Sequence, residues 1–199
     1  SSAASDVYKR QEYFPFKIDG YKLVLVDSVV KHELVDSPYN KRRQSCERVA
    51  KRLGIETLRD ADMAMLDAIK ADISAEDYMR AKFVIEEKER VLDVCDALNR
   101  GDIDTVGKMM YETHRGLSKD YEVSCEELDY LNDIAKECGV TGSRIMGGGF
   151  GGCTINLVAD DKYDHFIATA REKFNAKYGH EPKIYDVIIS DGARRLMSN

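Results

Sequence analysis

The 199-residue chain has no tryptophan and only three prolines. With proline so sparse there is no proline-rich spacer, and no low-complexity stretch or internal repeat divides the sequence. No run approaches the roughly 18 apolar residues that a membrane-spanning helix needs, so no membrane association is expected. Ser1–Gln11 lacks the apolar centre of a secretory signal. Positive charge is short as well: 30 Lys and Arg against 36 Asp and Glu leave a formal charge of −6. Nucleic-acid binders draw much of their affinity from neutralised phosphates, so this balance argues against nucleic acid as a partner. The five cysteines, Cys46, Cys95, Cys125, Cys138 and Cys153, are odd in number and contain no Cys-x-x-Cys. That pattern speaks against a disulfide framework or a zinc knuckle, and it makes a reducing cytoplasm the expected location.

The chain is nonetheless long enough to bury roughly 70% of its unfolded surface. Ser1–Gln11 matches nothing that follows, and Asp6–Gln11 (DVYKRQ) is the translation of GATGTGTATAAGAGACAG, a transposon end used in library preparation. Residues 1–11 are therefore expected to be a non-native or disordered leader. Tyr13–Ile18 and Tyr21–Val26 read as strands around Asp19-Gly20, a turn signal. Ser37-Pro38 opens a helix in which Cys46, Val49, Ala50 and Leu53 recur at helical spacing. Met63–Ile69 reads as a shorter helix. Ala81, Val84, Ile85, Leu92, Cys95 and Leu98 share one face of a long helix that stops near Gly101. Asp102 can cap the next, which turns Ile103, Val106, Met110 and Leu117 inward. Ser124-Cys125-Glu126-Glu127 has the form of a capping box ahead of Leu128, Leu131, Ala135 and Cys138. Beyond Gly139 come a strand over Ser143–Met146, a glycine run, a strand over Cys153–Val158, a helix carrying Phe166, Ala170 and Phe174, and a last strand over Lys183–Ser190. Strands and helices segregated in this way imply an α+β layout with helices on a mainly antiparallel sheet.

The glycine run is the most unusual feature. Gly147-Gly148-Gly149-Phe150-Gly151-Gly152 places five glycines in six positions. Such a run is costly in chain entropy and suits backbone that turns sharply or approaches another group closely. It contains Gly-x-Gly-x-x-Gly, but a dinucleotide fingerprint opens a helix and this run opens a strand. Cys153 stands where a Walker A loop carries lysine. From spacing alone the run is either a ligand-free turn or a loop lining a phosphate-binding cleft. His32-Glu33 begins a zincin motif, but Asp36 stands in place of the second histidine. His114, His165 and His180 show no ligand spacing. Lys41, Arg42, Arg43, Arg48, Lys51 and Arg52 form a basic stretch that reads as a solvated helix face more readily than as an anion site.

Taken together, these segments resemble the galactokinases of the GHMP kinase superfamily. Asp27-Ser28, His32, Leu34, Ser37, Tyr39-Asn40 and Arg42-Arg43 resemble the family stretch whose core reads Ser-x-Tyr-Asn-x-Arg-Arg. Glu112–Leu117 with Asp120–Cys125 resembles its second helical signature. Gly142-Ser143-Arg144 with Gly147–Cys153 is similar to the third motif of the superfamily, and Asp191-Gly192-Ala193 to its C-terminal end. Met146 departs from the usual Thr before the glycines, and Glu126 from the usual Pro after Ser-Cys.

The resemblance implies transfer of the γ-phosphate of MgATP to O1 of galactose, with ATP and Mg2+ as cofactors. It implies that Tyr39 contacts the sugar. It implies that Gly147, Gly148, Gly149, Gly151 and Gly152 form a loop near the ATP phosphates. No catalytic or metal-ligating residue carries over, because the family's catalytic Asp, its main ATP loop and its other sugar-binding residues precede the point where the resemblance begins. A partial galactokinase, the C-terminal half and inactive alone, is therefore expected. The alternatives are a non-catalytic galactokinase-like sensor of sugar or nucleotide, or a GHMP kinase for another sugar. The implied architecture is the ferredoxin-like α+β C-terminal domain of the GHMP kinases over residues 56–199. Residues 12–55 are expected to be an edge of the N-terminal kinase domain, with strands that lack sheet partners and expose an apolar edge.

Overall fold

A computed structural model of the chain describes residues 18–30 and 38–188. The leader over 1–11, most of the Tyr13–Ile18 strand, the Ser37 cap, His32-Glu33 and Asp191–Ala193 lie outside the described residues.

Strand β1 (Tyr21–Asp27) is followed by helices α1 (Pro38–Leu53), α2 (Met63–Ala68), α3 (Ala75–Arg100), α4 (Ile103–Lys119) and α5 (Glu126–Glu137). Strands β2 (Gly142–Met146) and β3 (Cys153–Ala159), helix α6 (Tyr163–Tyr178) and strand β4 (Lys183–Asp186) complete the order. The strands form one sheet in the order β2-β3-β1-β4, with every neighbouring pair antiparallel. This is the split βαβ arrangement of ferredoxin-like domains, with α1–α5 filling the first crossover and α6 the second.

β1 is an interior strand of that sheet. It pairs with β3 from Tyr21↔Ala159 to Asp27↔Cys153 and with β4 from Val24↔Asp186 to Asp27↔Lys183. The expectation that strands within 12–55 lack partners is thereby corrected. Tyr-Lys-Leu-Val-Leu-Val is apolar on both faces because both faces are covered. Val24 and Val26 point to one side, with Val158, into a core built from Leu131, Ile134, Phe166 and Phe174 of α5 and α6. Leu157 points to the other side, against Ala97 of α3 and Val106 of α4. A separate helical core joins Val49 and Ala50 of α1 to Leu66 of α2 and to Ala81 and Ile85 of α3.

The helix ends follow sequence chemistry with one exception. Ser74 accepts from the Asp77 amide at the start of α3, Gly101 ends that helix in the left-handed region (φ 69°), and Asp102 accepts from the Thr105 amide. The expected capping box at Ser124 does not form. Cys125 is the N-cap of α5, and the Ser124 hydroxyl instead donates to Asp129 Oδ1 at 2.5 Å. The helix begins one residue later than the box requires, so the Ser124 oxygen is not the N-cap acceptor. Leu92 is 63% exposed rather than core-facing. The last strand ends at Asp186, shorter than the stretch to Ser190 read from its β-branched residues.

α4 crosses the sheet at very close range. A Cβ on Gly107 would meet the Thr141 carbonyl oxygen at 2.0 Å, and one on Gly142 would meet the Gly107 Cα at 2.6 Å. Both obstacles are backbone and cannot rotate away. Gly107→Ala is therefore expected to destabilise the chain by about 2 kcal/mol through overpacking, despite alanine's better helix propensity. Urea denaturation checks this; an unchanged or raised midpoint would contradict the close-packing account.

Candidate functional site

The glycine loop leaves β2 at Met146 and enters β3 at Cys153, so it is the β2–β3 connection. Its backbone explains its composition. Gly147, Gly149, Gly151 and Gly152 have φ of 88°, 80°, 134° and 74°, and Phe150 itself is held at 61°. L side chains rarely adopt these angles, whereas glycine reaches them without steric cost. Gly149 carries a second constraint: a Cβ there would stand 2.1 Å from the Val123 carbonyl oxygen.

The middle and the downstream end of the loop are tied to segments distant in sequence. Phe150 donates its amide to Val123 O at 2.6 Å. Downstream, the Ser28 amide and hydroxyl each donate to Gly152 O at 2.9 Å, and Val29 turns there with φ 61°. The outer corner, Gly147-Gly148, is left exposed.

Tyr39 sits beside that corner. It lies in the first turn of α1, is 51% exposed, and would touch a Cβ on Gly148 with its Cδ2 at 3.9 Å. The structure thus brings together Tyr39 and the glycine loop, two features more than a hundred residues apart. A half-exposed phenol beside exposed backbone offers a flat apolar face, a hydroxyl and main chain that no side chain covers at one place.

The basic stretch of α1 is not uniformly solvated, contrary to the sequence reading. Arg42 is 7% exposed. Its Nε donates to Tyr121 O at 2.9 Å and its Nη2 to Glu122 O at 2.6 Å, while its guanidinium lies 5.6 Å from the Phe150 ring centroid. Burial, followed by the charge of Arg80, pulls its pKa below the ordinary arginine value. Glu122, at φ 53°, reaches Arg42 at 3.7 Å and Arg80 at 3.8 Å. Arg80 also donates to Ser45 Oγ at 3.0 Å and pairs with Glu76. Arg48 forms a two-pronged pair with Asp77, at 2.9 and 2.6 Å. Arg43 is exposed and pairs with Glu47, as a solvated face should. The clue to Arg42 was its position: it lies three residues after Tyr39 and so shares a helix face with it.

His114 is likewise interior. Its Nε2 lies 3.1 Å from Asp129 Oδ1, and the same carboxylate accepts from Ser118 Oγ at 2.8 Å and from Ser124 Oγ. Because the serines bond the aspartate and not the histidine, this is a structural junction rather than a nucleophile and base. It fixes Ser124, the neighbour of Val123, between α4 and α5. Burial pushes the His114 pKa down, against the opposing pull of Asp129.

Among the described residues, no three His, Cys, Asp or Glu side chains converge in a way that could hold a metal ion. None of the described helices is long and apolar enough to cross a membrane. A cavity of about 310 Å³ lies between α3, α4 and the sheet near Leu98, Met110 and Leu157, away from the glycine loop.

Residues 95–177 match the family model described as GHMP kinases C terminal. Over nearly its whole length the chain is similar to galactokinases in particular. It is 39% identical to the galactokinase of Thermotoga petrophila over 186 residues, covering 93% of this chain and 52% of that protein. It is 40% identical to that of Clostridium acetobutylicum over 190 residues, covering 92% and 49%. The solved Lactococcus lactis galactokinase complexed with galactose superposes with a TM-score of 0.84 at 30% identity, over 93% of this chain and 49% of that one. A mevalonate kinase from L. major shares the fold at a TM-score of 0.54 and 18% identity, over 83% of this chain and 41% of that one. The chain spans about half the length of the curated relatives it matches.

Two outcomes test the local geometry. Gly149→Ala must displace the Val123 carbonyl as well as adopt an unfavourable φ, so it is expected to destabilise the chain by about 2 kcal/mol. Thermal unfolding reads this, with Gly147→Ala, which has open space around its Cβ, expected to cost less. The second outcome concerns pH. The folded pKa of His114 lies below its unfolded value, so its contribution is complete above about pH 6.5 and is lost as pH falls through the folded pKa. Stability is expected to decline as the pH is lowered from 7 to 5, and His114→Gln to flatten that decline; an unchanged slope in the variant would assign the acid sensitivity elsewhere.

Proposed function

We propose that this chain supplies the sugar-facing wall and the phosphate-side loop of an ATP-dependent galactokinase that acts in the cytoplasm. The observation that carries the reading is the meeting of Tyr39 with Gly148 at an exposed corner of the glycine loop. The similarity to galactokinases over 93% of the chain supports it.

Tyr39 would pack its ring along one side of galactose and exchange a hydrogen bond with a sugar hydroxyl. The main-chain amides of Gly147 and Gly148 would face the phosphate chain, where no side chain blocks approach. MgATP supplies the phosphoryl group. O1 of the sugar forms the new bond to the γ-phosphorus, the bond to the β-bridging oxygen breaks, and ADP departs. The proton from O1 passes to a base that the reading places outside this chain's described residues. Such transfers depend on positioning and electrostatic clamping more than on covalent help. The side chains described here fit the sugar and phosphate roles.

The test expresses the chain alone and together with the product of the coding sequence upstream of it, and follows ADP release with galactose and with other hexoses. The chain alone is expected to be silent and the combination to turn over galactose. In the combination, Tyr39→Phe should raise KM for galactose by roughly 3- to 10-fold, the worth of one hydrogen bond, with a smaller change in kcat. Galactose binding without turnover would instead support a sensor, and preferred turnover of another sugar would support a sister kinase.

A further inference from the structure

We propose that Arg42 is a positioning residue that sets the glycine loop and Tyr39 in register with each other. Three structural facts converge on it. Arg42 and Tyr39 lie three residues apart on α1, so where the guanidinium is held, the tyrosine is held. The guanidinium fork is spent on main-chain carbonyls, Tyr121 O at 2.9 Å and Glu122 O at 2.6 Å, rather than on solvent. The turn so gripped presents Val123 O, which takes the Phe150 amide and closes against Gly149. Arg42 also faces the Phe150 ring directly at 5.6 Å. One side chain thus links the helix that carries the tyrosine, the turn between α4 and α5, and the middle of the loop. Glu122 completes the strut by bridging Arg42 to the buried Arg80.

The chemistry requires arginine. Two carbonyls at one turn match the planar fork, which offers several rigidly spaced donors, whereas lysine offers a point charge on a flexible stem. The adjacent Arg43 is 73% exposed in its side chain and pairs only locally with Glu47, so it serves as a control of equal charge.

The inference rests on the galactokinase reading only in its enzymatic arm, and its first arm needs no substrate. Hydrogen exchange of the intact chain is compared for wild type, Arg42→Gln, Arg42→Lys and Arg43→Gln. In Arg42→Gln the hydrogen-bonded amides of Phe150, Tyr121 and Val123 are expected to exchange about tenfold faster, while those of α5, α6 and β1 hold their rates. Arg42→Lys should fall between, and Arg43→Gln should match wild type. If Arg42→Gln does not fold, Arg42→Lys carries the same test. Unchanged loop exchange, or a uniform acceleration across the whole chain, would overturn the proposal. In the second arm, with the upstream product present and folded protein matched by circular dichroism, Arg42→Lys should raise KM for galactose about fivefold. Loss of active enzyme at constant KM would mark Arg42 as a stability residue only and would also overturn it. Silence of the wild-type combination would count against the function while leaving the exchange result intact.

Discussion

The site depends on one hydrogen bond, from the Phe150 amide to the Val123 carbonyl. Neither segment has a reason to hold its shape alone. The glycine loop has almost no intrinsic preference among backbone conformations, and fixing it costs more entropy per residue than any other composition would. The 121–123 turn contains a glutamate at positive φ, which a free chain avoids. Each is held by the other, and the Val123 carbonyl is the point where they meet. The Val123 amide is itself secured to Leu117 O at 2.9 Å, so the turn is a continuation of α4 rather than a loose connection.

The sheet supplies the second support. Ser28 follows directly on β1 and holds Gly152, and β1 lies between β3 and β4. A strand in that position is among the least mobile parts of a small domain, because both its edges and both its faces are occupied. The loop is thus anchored on one side by the sheet interior and on the other by a helix end. Only Gly147-Gly148 is left outside both anchors, which is where an approaching ligand would need open backbone.

Much of this was legible in the sequence. The α+β layout, the stop of α3, the start of α4 and the glycine run as a strand-to-strand connection followed from periodicity, caps and composition, because those signals act within a few residues, whereas the ferredoxin-like topology was implied by the family resemblance. The place of β1 was not legible. Its partners lie more than a hundred residues downstream, and an apolar strand of six or seven residues reads alike whether it is interior or orphaned. Ser124 reads as a cap from its sequence neighbours, but the helix starts one residue later and Cys125 takes the N-cap position. Arg42 was grouped with five other basic residues because composition cannot tell a buried guanidinium from a solvated one. Tyr39 and Gly148 were each singled out, but their contact became visible only in three dimensions.

The burial of Arg42 and Arg80 around one turn needs its own account, since two like charges brought out of water repel and lose hydration. Ion pairing alone would not offset that cost, because Glu122 lies at 3.7 and 3.8 Å and its side chain is half exposed. The main-chain carbonyls make the difference. Tyr121 O and Glu122 O lie in the turn just past the C-terminus of α4, near the negative end of that helix's dipole. Arg42 therefore pairs with two main-chain carbonyls of that turn, and it does so at the end of the helix that favours a cation. Arg80 finds its compensation in Ser45 and Glu76. The two charges are tolerated because each answers a need of the backbone or of a neighbouring helix. A hydrophobic replacement would remove the repulsion but leave the turn's carbonyls unsatisfied, and with them the seat of the glycine loop.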